Sequence, residues 1–278
     1  MSVIEQVHRP SPWMRIGSVS KYLVLLVAAF LTLGPVVWTA ITALTPTDPA
    51  TQTSQFGFAA FADVFVQVPF WLFTWNSALV TLLIAAGQML SAAMAGYVFA
   101  RFDFKGKNLL FALVLATMMV PMQVTIVPVF MLVRGMGLAD TLLALIIPAL
   151  PTAFGTFLMR QYFMGMPPEL GEAAEIDGAG PWKVFFSIYL PLSAPGLAIV
   201  GILAFNYHWN EFFRPLIMTI SEENFTLPLG LVSLQGNLGS GSVSTVLAGV
   251  ILSMIPAIFV FIFGQRPLRE GLTAGSGK

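Results

Sequence analysis

The chain has 278 residues, 57% of them hydrophobic and only 9% charged, with 13 Lys and Arg balancing 13 Asp and Glu. A soluble domain carries roughly 25% charged residues, so an ordinary water-facing surface is excluded, and the zero net charge leaves no basic footprint for a nucleic-acid partner. Cysteine is absent and the only histidines are His8 and His208, which excludes disulfides, thiolate chemistry, Fe–S clusters and a histidine-based metal site.

Residues 1–21 carry Arg9, Arg15 and Lys21 ahead of the first apolar run. That run exceeds the roughly 7–15 residues of a signal h-region and lacks a clear small-x-small cleavage site, so it reads as an uncleaved anchor. Six runs reach the length of about 18–20 residues that spans a bilayer: 22–44, 75–100, 108–132, 141–163, 192–219 and 243–264. The expected fold is an all-α integral membrane protein, with one six-span domain over 22–264 and a tail over 265–278. Pro121, Pro128, Pro148 and Pro151 should kink spans three and four. Gln88 and Gln123 suit interhelical hydrogen bonding or cavity lining, and the fourteen methionines suit adaptable packing.

Orientation follows from the cations. One alternating set of segments holds Arg9, Arg15, Lys21, Arg101, Lys105, Lys107, Arg160, Lys183, Arg266, Arg269 and Lys278; the other holds only Arg134 and Arg214. The positive-inside rule then makes both termini cytoplasmic. The 45–74 loop becomes external, and a second external loop runs over about 222–242, rich in Gly, Ser and Asn.

The cytoplasmic loop between spans four and five, about 165–187, is acidic and glycine-broken: EAAEIDGAGPWKVFFSIYLP. Each carboxylate would cost about 2.5–3.5 kcal/mol at the bilayer centre. Pro167 and Pro168 suit a helix start, Glu169 and Glu172 suit its N-terminal dipole, and Gly178, Gly180 and Pro181 suit its stop. On that short helix Leu170, Ala173, Ala174 and Asp177 share one face, with Glu172 and Glu175 opposite. By physics alone the segment is a solvated connector or a docking element, since a helix this short needs outside support.

Glu172-Ala173-Ala174, then Gly178, Ile188 and Leu190-Pro191, reproduce the spacing of a signature loop. Here the chain resembles the permease subunits of bacterial ABC importers. Asn76-Ser77, Arg101-Phe102, Gly106-Lys107, Trp209-Asn210 and Gly271–Gly275 extend the likeness to the carbohydrate class, in particular to the six-span partner of a maltose-type permease pair. The likeness runs from about residue 20 onward, with Pro267 departing where an aromatic or aliphatic residue is usual. The resemblance implies the type I importer permease fold in a bacterial cytoplasmic (inner) membrane. It implies a coupling helix in the acidic loop, with Glu172, Ala173, Ala174, Asp177 and Gly178 as its ATPase-coupling residues. The implied partners are a second homologous permease, two cytoplasmic ATPase subunits, an extracytoplasmic solute-binding protein and membrane lipid. ATP and Mg would sit on the ATPases, with no cofactor on this chain. The implied function is alternating-access import of a sugar or sugar derivative, with glycerol-phosphate substrates as the alternative.

Catalytic chemistry has little support. GLTAGSGK near the end resembles a phosphate-binding loop, but Leu272 stands where the first glycine is needed. Gly239-Ser240-Gly241-Ser242, with His208 as base, could imitate a serine hydrolase, yet Ser/Gly loops read as connectors. The run Asn206-Tyr207-His208-Trp209-Asn210-Glu211 places ionisable groups at membrane depth, which points to a pathway and leaves a stand-alone proton-coupled carrier as a different class of function. Glu211 either reaches water or pairs with Arg214. Asn206, Trp209 and Asn210 follow i, i+3, i+4 spacing, so an indole beside two amides is the candidate sugar-contacting face.

Overall fold

The computed structural model describes residues 12–46, 55–236 and 241–274, with side chains described for 21–46, 55–236 and 241–265. Every regular element among them is helical. In chain order they are α1 (Pro12–Leu44), α2 (Ala59–Gln67), α3 (Phe70–Arg101), α4 (Lys107–Ala116), α5 (Met122–Gly135), α6 (Leu142–Ile146) and α7 (Ala153–Met164), followed by α8 (Glu169–Ile176), α9 (Pro181–Val184), α10 (Leu190–Leu192), α11 (Ala194–Trp209), α12 (Phe213–Met218), α13 (Leu227–Gly230) and α14 (Val243–Ala274). The Gly239-Ser240 pair, Gly275 and Lys278 lie outside the described residues.

Five of the six apolar runs become three long helices and two bent pairs; in place of the run expected over 192–219, a third bent pair begins at Pro181, inside the loop expected over 165–187, and stops at Trp209, leaving Phe213–Met218 as a separate short helix. Lys21–Leu44, Phe70–Arg101 and Val243–Gln265 are each long and apolar enough to cross a membrane. Lys107–Met119 with Met122–Gly135, Leu142–Ala149 with Ala153–Met164, and Pro181–Leu192 with Ala194–Trp209 reach that length only when joined across bends of 103°, 41° and 73°. The chain therefore carries three to six spans by length and composition. Proline explains two of the bends. Val120 turns extended, with ψ 115, ahead of Pro121, as the residue before a proline must. Pro148 and Pro151 bracket the second break, and Thr152 restarts the helix by accepting a hydrogen bond from Gly155 N–H at 3.1 Å. Pro128, by contrast, lies inside α5 without interrupting it.

α3 is the spine. Buried residues make up 33% of its most apolar stretch, against 0% in α1 and 11% in α14, so α3 is central while α1 lies at the periphery with its apolar side chains exposed. Three apolar clusters are strung along it. Phe70 and Phe73 join α2, α13 and α14; Val80 and Ile84 join α5 and α6; Ala92, Ala93 and Tyr97 join α7 and the arm from Pro181 to Leu192. In lipid, helices associate by close backbone approach rather than by hydrophobic expulsion. Gly96 meets this need, because a Cβ there would lie 2.8 Å from Arg160 N and 2.7 Å from Met159 Cβ.

The N-terminal end of α3 is tied to the chain's last third. Asn76 Nδ2 donates to the carbonyls of Glu223 and Phe225 at 2.8 and 3.0 Å. Ser77 Oγ accepts from Leu227 N–H at 2.7 Å. Asp140, at φ +58, accepts from the Ser221 hydroxyl at 2.5 Å and from the Ile220 and Ser221 amides at 2.8 and 2.9 Å. Those donors, the Ser221 hydroxyl first, hold the Asp140 carboxyl down at about 2.

Gly96→Leu should separate α3 from α7 and lower the thermal midpoint of the detergent-solubilised chain by several degrees, since overpacking costs about 1–3 kcal/mol. Gly34→Leu, at a position with nothing within 4 Å of an added Cβ, should leave the midpoint unchanged. Equal midpoints for both variants would contradict the close approach.

Candidate functional sites along the central helix

The acidic loop forms the helix α8. Glu169 and Glu172 occupy its first turn, where carboxylates complement the dipole. Its end is a Schellman motif: Gly178 N–H donates to Glu175 O at 3.0 Å and Ala179 N–H to Ala174 O at 2.9 Å. That motif needs a left-handed residue, and Gly178 supplies it at φ +79. Pro181 then opens an arm through α9, a π-helical turn at Phe185–Tyr189 and α10.

The structure divides the small face expected of this helix. Ala174 is half-buried against the cluster formed by Tyr97, Phe163 and Tyr189, whereas Ala173, Glu172, Asp177 and Gly178 are exposed. Gly171 is the closest approach inward, where an added Cβ would lie 2.9 Å from the Tyr189 hydroxyl. Ile176 points outward, 87% exposed. The outward face is therefore Ala173, Ile176 and the carboxylates, and Ala174 belongs to the inward one. Eight residues give a helix just over two turns, so which alanine faced inward depended on how Tyr189 docked.

Arg101, the last residue of α3, locks this arrangement. Its Nη2 donates to the Phe163 and Met166 carbonyls, each at 2.7 Å, which caps the C-terminal end of α7. Its guanidinium lies 4.8 Å from the centroid of the Tyr189 ring. α8, the arm, α7 and α3 thus meet around one cation.

At mid-length α3 borders a cavity of about 670 Å³. Three interruptions of helix converge on it: Met122 after the first break, Pro151 and Thr152 at the second, and His208 and Arg214 on either side of the gap between α11 and α12. The second break frees backbone carbonyls, and polar side chains satisfy them. Gln88 Nε2 donates to Ala149 O at 2.8 Å, Ser91 Oγ to Leu150 O at 2.8 Å and Arg214 Nη1 to Leu145 O at 3.0 Å. Gln88 Nε2 also lies 3.1 Å from His208 Nε2, His208 Nδ1 lies 2.7 Å from Glu211 Oε2, and Arg214 Nη2 lies 2.9 Å from Glu211 Oε1. Glu211 therefore pairs with Arg214 rather than reaching water.

The candidate sugar-contacting face is also divided. Asn206 lines the cavity with Tyr207. Trp209 does not: it is 3% exposed, stacks on Phe205 at 5.5 Å and donates its Nε1–H to Ser253 O at 3.0 Å. Asn210 Nδ2 donates to Asn206 O at 2.8 Å and closes the end of α11. Positions i and i+3 differ by about 60° around a helix, enough for α14 to take the indole while the amide keeps the cavity. The sequence puts His208 and Glu211 in one polar run and Arg214 within pairing distance of Glu211, but nothing in it joins Gln88 to them. Their intramembrane polarity was the available signal, and the helix break that joins them was not.

Residues 89–269 match the family described as binding-protein-dependent transport system inner membrane component. The chain is 38% identical over 232 residues to the arabinooligosaccharides transport system permease protein of Halalkalibacterium halodurans, covering 83% of this chain and 81% of that one. It is 34% identical over 262 residues to the lactose transport system permease protein of Rhizobium radiobacter, covering 93% and 96%. With the sn-glycerol-3-phosphate transport system permease protein of Yersinia enterocolitica it shares 35% identity over 205 residues, 73% of each. A solved bacterial ABC transporter involved in import of the acidic polysaccharide alginate superposes with TM-score 0.81 over 93% of this chain and 98% of the other, at 24% identity, which bears on fold alone.

Ala174→Asp should bury a carboxylate against Tyr97 and Tyr189 and reduce the yield of folded protein. Ala173→Asp, one residue away and exposed, should leave yield and thermal midpoint unchanged. A stable Ala174→Asp variant would contradict the inward assignment.

Proposed function

The chain belongs to the binding-protein-dependent transport system inner membrane component family, and from that membership we infer that it is the permease subunit of an ATP-driven importer for a sugar or sugar derivative. The observation that carries the reading is the convergence of three helix interruptions on one cavity bordered by Gln88, His208 and Arg214. In a membrane, non-helical backbone is tolerated where it lines a cavity or is buried in protein, and interrupted helices mark transport sites. The curated relatives named for arabinooligosaccharides and lactose support a sugar.

In this reading the chain sits in the bacterial cytoplasmic membrane with both termini, the 165–187 coupling loop and the 265–278 tail inside. The 222–242 loop faces a solute-binding protein outside. A second homologous permease completes the pathway. Two cytoplasmic ATPase subunits, which hold the ATP and Mg, dock on α8, so that this chain performs no hydrolysis itself. The outward face of Ala173, Glu172 and Ile176 meets the ATPase, while Gly178 and Asp177 shape the turn behind it. When ATP closes the ATPase pair, α8 is displaced. The contacts of Tyr189 on Gly171 and of Arg101 on the Phe163 and Met166 carbonyls pass that displacement to α7 and α3, whose Gln88 and Ser91 hold the cavity wall.

Proteoliposomes carrying the permease pair and ATPases, supplied with binding protein, should take up sugar only with ATP. Ala173→Asp should assemble in the membrane at normal yield and lose uptake at least tenfold. Uptake driven by a proton gradient without ATP would restore the stand-alone carrier. Undiminished uptake in the variant would return α8 to a solvated connector.

A further inference from the structure

The charge balance of the cavity wall selects among the substrates that family membership leaves open. Among the described lining residues, Arg214 carries the one permanent charge. That cation is paired, with Nη2 at 2.9 Å from Glu211 Oε1 and Nη1 donating to Leu145 O at 3.0 Å. Glu211 is engaged as well, its Oε2 at 2.7 Å from His208 Nδ1. The Gln88 amide nitrogen is a donor and lies 3.1 Å from His208 Nε2. That nitrogen therefore accepts, and His208 carries its proton on Nδ1, directed at Glu211. The chain of bonds from Gln88 to Arg214 closes with one carboxylate against one guanidinium. Both side chains are at most 10% exposed, so water does little to screen or replace the pair.

Apart from the Arg214–Glu211 pair, the polar groups at the wall are uncharged. The Asn206 amide and the Tyr207 hydroxyl line the cavity from exposed positions. An amide and a phenol exchange readily with water for the hydroxyls of a glycan. They do not compensate a phosphate or carboxylate, whose desolvation without a cation is costly. The volume of about 670 Å³ lies in the usual range for small-molecule sites.

We propose that this cavity accepts uncharged glycans and disfavours sugar phosphates and uronates, and that Glu211 is the residue that sets this preference by neutralising Arg214. The assignment rests on the importer reading for its claim that the cavity is a sugar path, but its electrostatic content is independent of transport.

The absence of cysteine from the chain makes the wall's potential measurable. A single thiol at Leu203 or at Asn206, both of which line the cavity, is placed in the assembled transporter with the other subunits cysteine-free. Its reaction rates with a cationic trimethylammonium-ethyl and an anionic sulfonate-ethyl methanethiosulfonate are compared with those of a free thiol. The expected ratio lies within about threefold of the free-thiol value, because opposite charges in contact nearly cancel at a distance. Glu211→Gln should shift the ratio about tenfold toward the anionic reagent. Arg214→Gln should shift it the other way, and the double variant should restore it. Lactose at millimolar concentration should protect the thiol from N-ethylmaleimide while sn-glycerol 3-phosphate does not, and Glu211→Gln should let sn-glycerol 3-phosphate protect. A wild-type ratio already tenfold in favour of the anionic reagent, or protection by sn-glycerol 3-phosphate and not by lactose, would overturn the assignment. Neither readout uses ATP or uptake, so loss of ATP-driven transport would sink the importer reading without moving these rates.

Discussion

In hydrocarbon a peptide carbonyl that leaves its helix has no water to turn to. The chain leaves its helices at Pro121, across Leu150–Thr152 and after Trp209, and at the second departure protein side chains take the place of water. Gln88, Ser91 and Arg214 bond the carbonyls of Ala149, Leu150 and Leu145. The same residues that make the broken backbone tolerable also border the space it encloses. Arg214 in turn requires Glu211, because a buried guanidinium without a counter-charge would be strongly destabilising. The cavity's polar wall is thus a consequence of satisfying the second break.

α3 gives this wall a mechanical address. At its N-terminal end Asn76 and Ser77 hold the segment Glu223–Leu227, beside the Asp140 clamp on Ile220 and Ser221. At mid-length it contributes Gln88 and Ser91. At its C-terminal end Gly96 admits the α7 backbone, and Arg101 gathers α7 and Tyr189. A force applied to α8 meets Tyr189 at Gly171 and then the close approach of α3 and α7 at Gly96. The bent, loosely covered elements lie beside this spine and not along it.

Much of this was legible in the sequence, for identifiable reasons. Spans follow from apolar length, and helix stops from proline and glycine chemistry. The acidic loop stood out because its carboxylates cannot enter the bilayer, and its Glu-Ala-Ala and Gly spacing carried the family. What resisted reading was contact made across breaks. Gln88 and His208 are 120 positions apart and touch because α11 ends one residue after His208. Trp209 reads as a sugar platform on a helical wheel, yet α14 offers its indole the Ser253 carbonyl. Ala173 and Ala174 are alike in size, and only the docking of Tyr189 distinguishes them.

If α8, α3 and the Asp140 clamp form one body, the proposed ATP-driven motion carries the wall as a unit against a partner permease. Spin labels at Ile176 and Ile220, 87% and 80% exposed, the first on α8 and the second beside the Asp140 clamp, report on it directly in the assembled transporter. The account predicts an Ile176–Ile220 distance distribution that is the same with and without ATP, while the distance from Ile176 to a label on the partner permease's coupling region changes. An Ile176–Ile220 distance that shifts with ATP while the inter-permease distance holds would contradict it.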